Sequence, residues 1–380
     1  MMQANKILFF SIVSVAVVAV AGLFSARLLL VNRDPVELTV LYSTEKEAWL
    51  EQVSRDFQGQ IGGRPIQLKF EPLGSQEIVQ AVLDGTRRPH LISPASSLQI
   101  SMLAAESGRV LGAPVVNLAD ATACRSVVKT PLVLVAWQDR AEALGWLDSG
   151  DPDLWTKLRV AVADPDGWRS HGHANWGYVK FGQTDPNRSN SGLMTLLLIT
   201  YDYFDKSTGL TNQDLLSPDF DQWFQALGEY TDVGDSTGTF MKEMVTFGPS
   251  RYDLVAVYES TAIEQIPNAA GRYGELRVYY PSPTVLSDHP FCLLQADWVT
   301  ADEAAAAEQF VTYLLDRPAQ EAALALGFRP ADAGVALDGP GSPFSQYTAN
   351  GIRTDLPAQV DVPPGEVLTT LINFWNRHQR

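Results

Sequence analysis

Cysteine is nearly absent from this chain. Its 380 residues hold two, Cys124 and Cys292, and neither belongs to a CxxC pair. That excludes a cysteine-built zinc cage and a disulfide framework. One bridge in an exported body and two buried free thiols both stay open. Basic residues are also scarce, 28 Lys and Arg against 44 Asp and Glu, a net charge of −16. Lys6, Arg27 and Arg33 precede Asp34 and no acid does, so the body beyond carries 25 minus 44, or −19. Nucleic acid calls for a basic face, and anionic lipid repels this one. A small anion is not excluded, because local N–H groups and hydroxyls decide its binding.

Catalytic signatures are missing as well. There is no G-x-S-x-G elbow, no Walker A loop, no G-x-G-x-x-G and no H-E-x-x-H. A carboxylate pair stays open among so many acids, although a solvated surface explains the excess more simply. No internal repeat or low-complexity tract stands out. What is present, 46% apolar and 19% charged residues, fits a folded chain long enough for two domains.

The first 33 residues stand apart. Ile7–Ala26 carries no charge and is long enough to span a bilayer. It also has signal-peptide character, with a small-x-small pattern at Ala19-Val20-Ala21. Leu28–Val31 continues the apolar run past that point, which favours an uncleaved signal-anchor over residues 7–31. No cysteine is available there for a lipid anchor. The expectation is an extracytoplasmic body, at the cell surface or in the periplasm, held to the membrane by this helix.

The rest alternates strand and helix. Strands are expected at Glu37–Tyr42, Ile66–Phe70, His90–Ile92, Val127–Trp137, Leu158–Ala163, Tyr252–Tyr258, Leu276–Tyr280 and Phe291–Val299. Polar turns follow several of them, at Ser43-Thr44-Glu45, at Ser93-Pro-Ala-Ser-Ser97 and at Tyr258-Glu-Ser-Thr261. Each caps a helix, and open α/β sheets bind ligands at such strand ends. The central stretch is Phe181-Gly-Gln-Thr-Asp-Pro-Asn-Arg-Ser-Asn-Ser-Gly192, read as a polar loop, running into an apolar helix from Leu193 to about Phe204. Ser189, Asn190 or Ser191 caps it. Its free N–H groups and hydroxyls, with Gly192 allowing close approach, make a cradle for an oxyanion or another polar group. Pro131 inside a long strand marks a crossing between domains near Thr130.

Together these pieces resemble a bacterial extracellular solute-binding protein of the type II periplasmic-binding fold, in the group often associated with von Willebrand A domains. The resemblance is carried by Val40-Leu-Tyr-Ser-Thr-Glu-Lys46 with Trp49, Ser93–Ser97, Val128-Lys-Thr-Pro-Leu-Val133 with Ala141–Trp146, and the Phe181–Gly192 stretch. Val257-Tyr-Glu-Ser260, Ser287-Asp-His-Pro290 and Asp297-Trp298 follow in order. It covers roughly residues 37–380, and the sequence to Arg380 holds no von Willebrand A domain.

The resemblance implies an α/β, two-lobed fold with a central cleft that closes by hinge motion. Lobe 1 is expected from 34–130 plus 286–380 and lobe 2 from 131–285, behind the 1–33 segment. It implies a small polar solute in the cleft, an oxyanion being one option, for transport or sensing. The expected partner is an ABC-transporter permease or another membrane protein. Carried over position by position, the ligand wall would include Ser43, Thr44, Ser96, Ser97, Thr130, Ser189, Ser191 and Tyr258. No catalytic residue, metal or cofactor is implied.

Asp185, Asn187 and Ser189 match positions 1, 3 and 5 of an EF-hand loop, but Asn190 replaces its glycine and Leu196 its final glutamate. His171-Gly-His173 could offer two metal ligands, yet His90, His289 and His378 show no partnering spacing. The alternatives to a solute-binding protein are a membrane-anchored sensor or interaction module, and an exported hydrolase on the same lobes.

Overall fold

The computed structural model describes residues 34–120, 122–146, 153–228, 231–234 and 236–378. The signal or anchor helix expected over 1–33 lies outside them. Thirteen strands are described: β1 (Val36–Ser43), β2 (Gln60–Ile61), β3 (Arg64–Leu73), β4 (Leu91–Ser93), β5 (Cys124–Ser126), β6 (Val128–Trp137), β7 (Phe181–Thr184), β8 (Thr231–Gly234), β9 (Leu254–Tyr258), β10 (Leu276–Tyr279), β11 (Leu286–Ser287), β12 (Pro290–Leu293) and β13 (Arg329–Pro330). The helices are α1 (Glu47–Ser54), α2 (Ser75–Leu83), α3 (Ser97–Val110), α4 (Gln138–Ala143), α5 (Leu154–Ala163), α6 (Asn190–Tyr203) and α7 (Asn212–Leu215). They continue with α8 (Pro218–Gly228), α9 (Thr237–Phe247), α10 (Glu259–Ala269), α11 (Ala301–Leu314), α12 (Arg317–Ala325), α13 (Pro343–Gln346) and α14 (Gly365–His378).

The strands form two sheets, one per lobe. The first runs β2-β3-β1-β4-β12-β5, with β1 parallel to β3 and β4 and with β12 antiparallel to β4 and β5. The second runs β10-β6-β9-β7-β8, and short β11 and β13 also pair with β6. Strands covered on both faces read as unbroken apolar runs. Leu132–Trp137 and Leu254–Tyr258 are such runs, almost wholly inaccessible to solvent. The chain leaves the first sheet between Ser126 and Val128 and comes back between Ser287 and Pro290. Cys124 and Cys292 face each other across β5 and β12 and are joined in a disulfide.

The C-terminal stretch does not stay with one sheet. Helix α14 lies against α3 of the first lobe and against α6, α7 and α8 of the second. Its Leu368, Leu371, Phe374 and Trp375 share one apolar cluster with Leu98 and Met102 of α3 and with Leu193, Leu196 and Leu197 of α6. Phe344 and Ile352 pack with Val133, Val257 and Val278 of the second sheet. Residues 286–380, expected in lobe 1, thus include segments that pack on elements of both sheets.

Three elements differ from the sequence reading. Leu158–Ala163 is the end of helix α5, not a strand. Leu154, Trp155, Leu158, Ala161 and Val162 are buried at helical spacing while Val160 points to solvent. The alternation in Val-Ala-Val-Ala imitates a strand over too few residues to separate the two periods. Phe181–Thr184, expected in a loop, is inner strand β7 between β9 and β8. The return strand is short, and Trp298 lies beyond it, its indole donating to the Pro89 carbonyl at 2.9 Å.

Candidate functional site

A cleft of about 460 Å³ opens between the lobes. The first lobe contributes Thr44, Glu45, Glu47 and Trp49, from the turn after β1 and the start of α1. The second contributes Ser236, which caps α9, then Thr237, Gly238 and Lys242 of α9, and Ser260, Thr261 and Glu264 of α10. Leu326 and Phe328, after α12, close one end. The starts of α9 and α10 and the turn into α1 therefore border a common gap. Thr237, Ser260 and Thr261 form the buried floor, whereas Thr44, Glu47, Lys242 and Glu264 are exposed at the rim. A Cβ built on Gly238 would meet no atom within 4 Å, so that helix start faces open space.

The eight residues singled out from the sequence divide unevenly around this cleft. Thr44 lines it. The others form a polar seam behind it, buried except for half-buried Ser97. Ser43 Oγ accepts from Lys46 Nζ at 2.5 Å. Ser96 Oγ caps α3 by accepting from Leu98 N at 3.1 Å. Ser97 gives both its backbone N–H (2.7 Å) and its hydroxyl (2.5 Å) to Asp288. Thr130 Oγ1 accepts from Ser260 N at 3.0 Å, holding the start of α10. Ser191 Oγ lies 2.7 Å from Thr184 Oγ1, 2.7 Å from Thr237 Oγ1 and 3.2 Å from Ser189 Oγ. Tyr258 ends β9 and its hydroxyl accepts from Asn190 Nδ2 at 3.1 Å. Burial, followed by the charge of Glu45, holds that phenol well above its ordinary range.

Sequence reasoning missed the residues that tie the seam together. Lys46 is fully buried, and its Nζ donates to the carbonyls of Ser93 (3.0 Å) and Pro94 (3.4 Å) as well as to Ser43. Burial pulls its ammonium down to about 7, against the opposing pull of Glu45 and Asp288. Its Nζ lies 3.2 Å from His289 Nδ1, and His289 Nε2 lies 3.3 Å from Ser287 Oγ. Burial and then the nearby Lys46 keep this imidazole well below its usual pKa, hence neutral. The network fixes its tautomer: Nδ1 accepts from Lys46, Nε2–H donates to Ser287, and Ser287 donates to the Ala95 carbonyl at 2.5 Å. Asn190 joins the lobes directly, accepting from Gln99 Nε2 of α3 at 3.0 Å. Nothing in a lone lysine or asparagine beside a row of serines distinguishes it in the sequence.

Other candidates find different roles. Gly192 does not open the cradle to a ligand. A Cβ there would lie 2.2 Å from the Thr184 carbonyl oxygen, so the glycine lets α6 dock on the end of β7. Ser189 is the N-cap residue of α6, although its hydroxyl makes no capping bond. Asp185 Oδ1 accepts from the backbone and side-chain nitrogens of Asn187, closing a turn where the calcium loop was weighed. His171 Nδ1 sits 3.2 Å from the Ala143 carbonyl. His173 stacks on Trp176 at 3.7 Å, and Trp176 in turn covers the Arg140 guanidinium, which pairs with buried Asp253.

This arrangement, two α/β lobes with a polar gap between them, matches known proteins. Residues 38–329 fit the family model described as bacterial extracellular solute-binding protein. The chain belongs to this family. Its members are solute-binding proteins of the cell exterior, so the body is extracytoplasmic. The sulfate-binding protein SubI from Mycobacterium tuberculosis H37Rv is 18% identical, with a TM-score of 0.54 over 85% of this chain and 94% of that one. A periplasmic thiamin-binding protein is 14% identical, with a TM-score of 0.59 over 92% and 100%. Iron-bound HitA from Pseudomonas aeruginosa is 15% identical, with a TM-score of 0.58 over 91% and 100%. These likenesses establish the two-lobed fold. A search of curated protein sequences finds no match.

Proposed function

We propose that this solute-binding protein captures a small polar solute in the gap bounded by Thr44, Thr237, Ser260 and Thr261. The observation that carries the reading is the convergence of three hydroxyl-bearing chain starts from both lobes on one cleft of about 460 Å³. That volume falls within the size range of small-molecule sites. Of the residues chosen from the sequence, Thr44 is the direct contact. Ser43, Ser96, Ser97, Thr130, Ser189, Ser191 and Tyr258 set the wall's position through hydrogen bonds to Lys46, Leu98, Asp288, Ser260, Thr184, Thr237 and Asn190. The division into lobes at the β5–β6 and β11–β12 crossings lets the cleft open and close. Handover to a membrane permease, attachment through residues 7–31 and the absence of catalysis belong to the same proposal.

The test fills the cleft. Gly238→Trp places an indole in open space without forcing the backbone. A solute that raises the melting temperature of the wild-type protein should leave this variant unmoved, because stabilisation follows native-state binding. Equal stabilisation of both proteins would place the solute elsewhere.

A further inference from the structure

The charges around the cleft have a sign. Its lining holds three carboxylates, Glu45, Glu47 and Glu264, and one ammonium, Lys242, which sum to −2. Buried Lys46 is close enough to feel the charge of Glu45, but its Nζ hydrogen-bonds Ser43 and the Ser93 and Pro94 carbonyls and lies beside His289, and gives no bond to Glu45. Glu47 and Glu264 are at the exposed rim, where solvent screens them. Glu45 is different. It lines the gap, yet its Oε2 has no exposure and no hydrogen-bond donor. A carboxylate oxygen withdrawn from water without a donor is costly, and an arriving N–H would relieve it.

Buried polar atoms without a partner recur behind the cleft wall. Ser93 and Gln99 are fully buried, and Ser93 Oγ and Gln99 Oε1 have no partner. Both belong to the first lobe's side of the seam: the Ser93 carbonyl binds Lys46, and the Gln99 amide nitrogen binds Asn190. An oxyanion brings only acceptors and would meet a net negative rim.

We infer that the cleft selects a solute with a cationic, hydrogen-bond-donating centre, an ammonium or guanidinium on a small hydroxylated molecule, with Glu45 as its counter-charge. This rests on the cleft being the binding site, as proposed above. The hydroxyls of Thr44, Ser260 and Thr261 serve the neutral part of such a solute, and Glu45 the charged part.

Isothermal titration of the whole protein with matched probes tests the inference. Glucosamine and glucose differ by one amine, arginine supplies a guanidinium, and sulfate and molybdate supply oxyanions. At least one amine or guanidinium probe should bind tenfold or more tightly than glucose and the oxyanions, and its affinity should fall as salt rises. Glu45→Gln should weaken that binding at least tenfold. Glu264→Gln, at the rim, should weaken it two- to threefold and serves where the first variant folds poorly. Oxyanion binding that Gly238→Trp abolishes, with every amine probe silent, would overturn the charge assignment and leave the cleft standing. Silence of every amine and guanidinium probe overturns it too, and so does amine binding that Glu45→Gln does not change. Amine binding that survives Gly238→Trp would remove the cleft itself as the site.

Discussion

Replacing Arg329 by methionine should make the protein's stability fall with rising pH. Arg329, in β13, grips Glu259 at the start of α10 with two bonds, Nε to Oε2 at 2.7 Å and Nη2 to Oε1 at 2.6 Å. The side chains are 7% and 0% exposed. Tyr280 adds a hydroxyl donor to the same carboxylate, and the guanidinium is braced by the carbonyls of Thr354 and Arg353. Burial lifts the Glu259 carboxyl above its ordinary range, with Arg329 and Tyr280 pulling the other way. Without Arg329 the lift grows. Breaking a buried pair from one side costs about 3–5 kcal/mol, because a lone charge is left in a poor solvent. A proton can substitute for the arginine. Near pH 5 the loss should therefore shrink to roughly 1–3 kcal/mol, the cost of lost hydrogen bonds.

The sign follows from proton counting. Between the unfolded pKa, about 4.3, and the raised folded value, the native variant holds one proton more than the unfolded chain. Stability is then greatest below the window and declines by up to about 1.4 kcal/mol per pH unit through it. Guanidinium unfolding of wild type and variant at pH 5, 6.5 and 8 measures this. Glu259→Gln added to the variant should flatten the slope and recover part of the loss at pH 8. A loss equal at all three values, or smaller at pH 8, would refute the account of this pair.

Lys46 is a base whose ammonium is depressed to about 7 in the folded state, so wild-type stability should rise with pH from about 7 towards its unfolded pKa of about 10.4. Lys46→Met should abolish that component, and pH-dependent unfolding of the two proteins would show an unchanged slope if the burial is misjudged. Gly192→Ala should destabilise by about 1–3 kcal/mol through collision with the Thr184 carbonyl, whereas Gly238→Ala should be close to neutral; equal midpoints for both in chemical denaturation would contradict this. Thiol titration of the unfolded, unreduced protein should find no free cysteine, and Cys124→Ala with Cys292→Ala should cost about 2–5 kcal/mol. Two titratable thiols would remove the bridge.

The chain announced most of its scaffold. The strand–turn–helix units at Val36–Ser54 and Leu91–Val110 lie where apolar periodicity puts them, because there the local signal and the tertiary need coincide; Ser96 caps the second as read, whereas no side chain caps the first. Helix α5 did not, since its four alternating residues satisfy either period and only contact with the neighbouring helices chooses. The site was legible as a set of serine-rich turns but not as a geometry. Which hydroxyls face solvent and which are consumed by Asp288, Thr237 or Ser260 depends on partners far along the chain. The buried Lys46–His289 contact spans 243 residues of separation, and no local pattern encodes it. The disulfide was open in the sequence because cysteine count alone cannot distinguish a bridge from two thiols. The register of β5 on β12 decides it.

Helix α14 gives the molecule a spine. Its apolar stripe is fixed to α3 on one cover and to α6 and α8 on the other. Any opening of the proposed gap at Thr44 and Thr261 would have to slide this stripe over one cover or draw it off with the other, and either course carries a cost in apolar surface, about 25 cal/mol for each Å² uncovered.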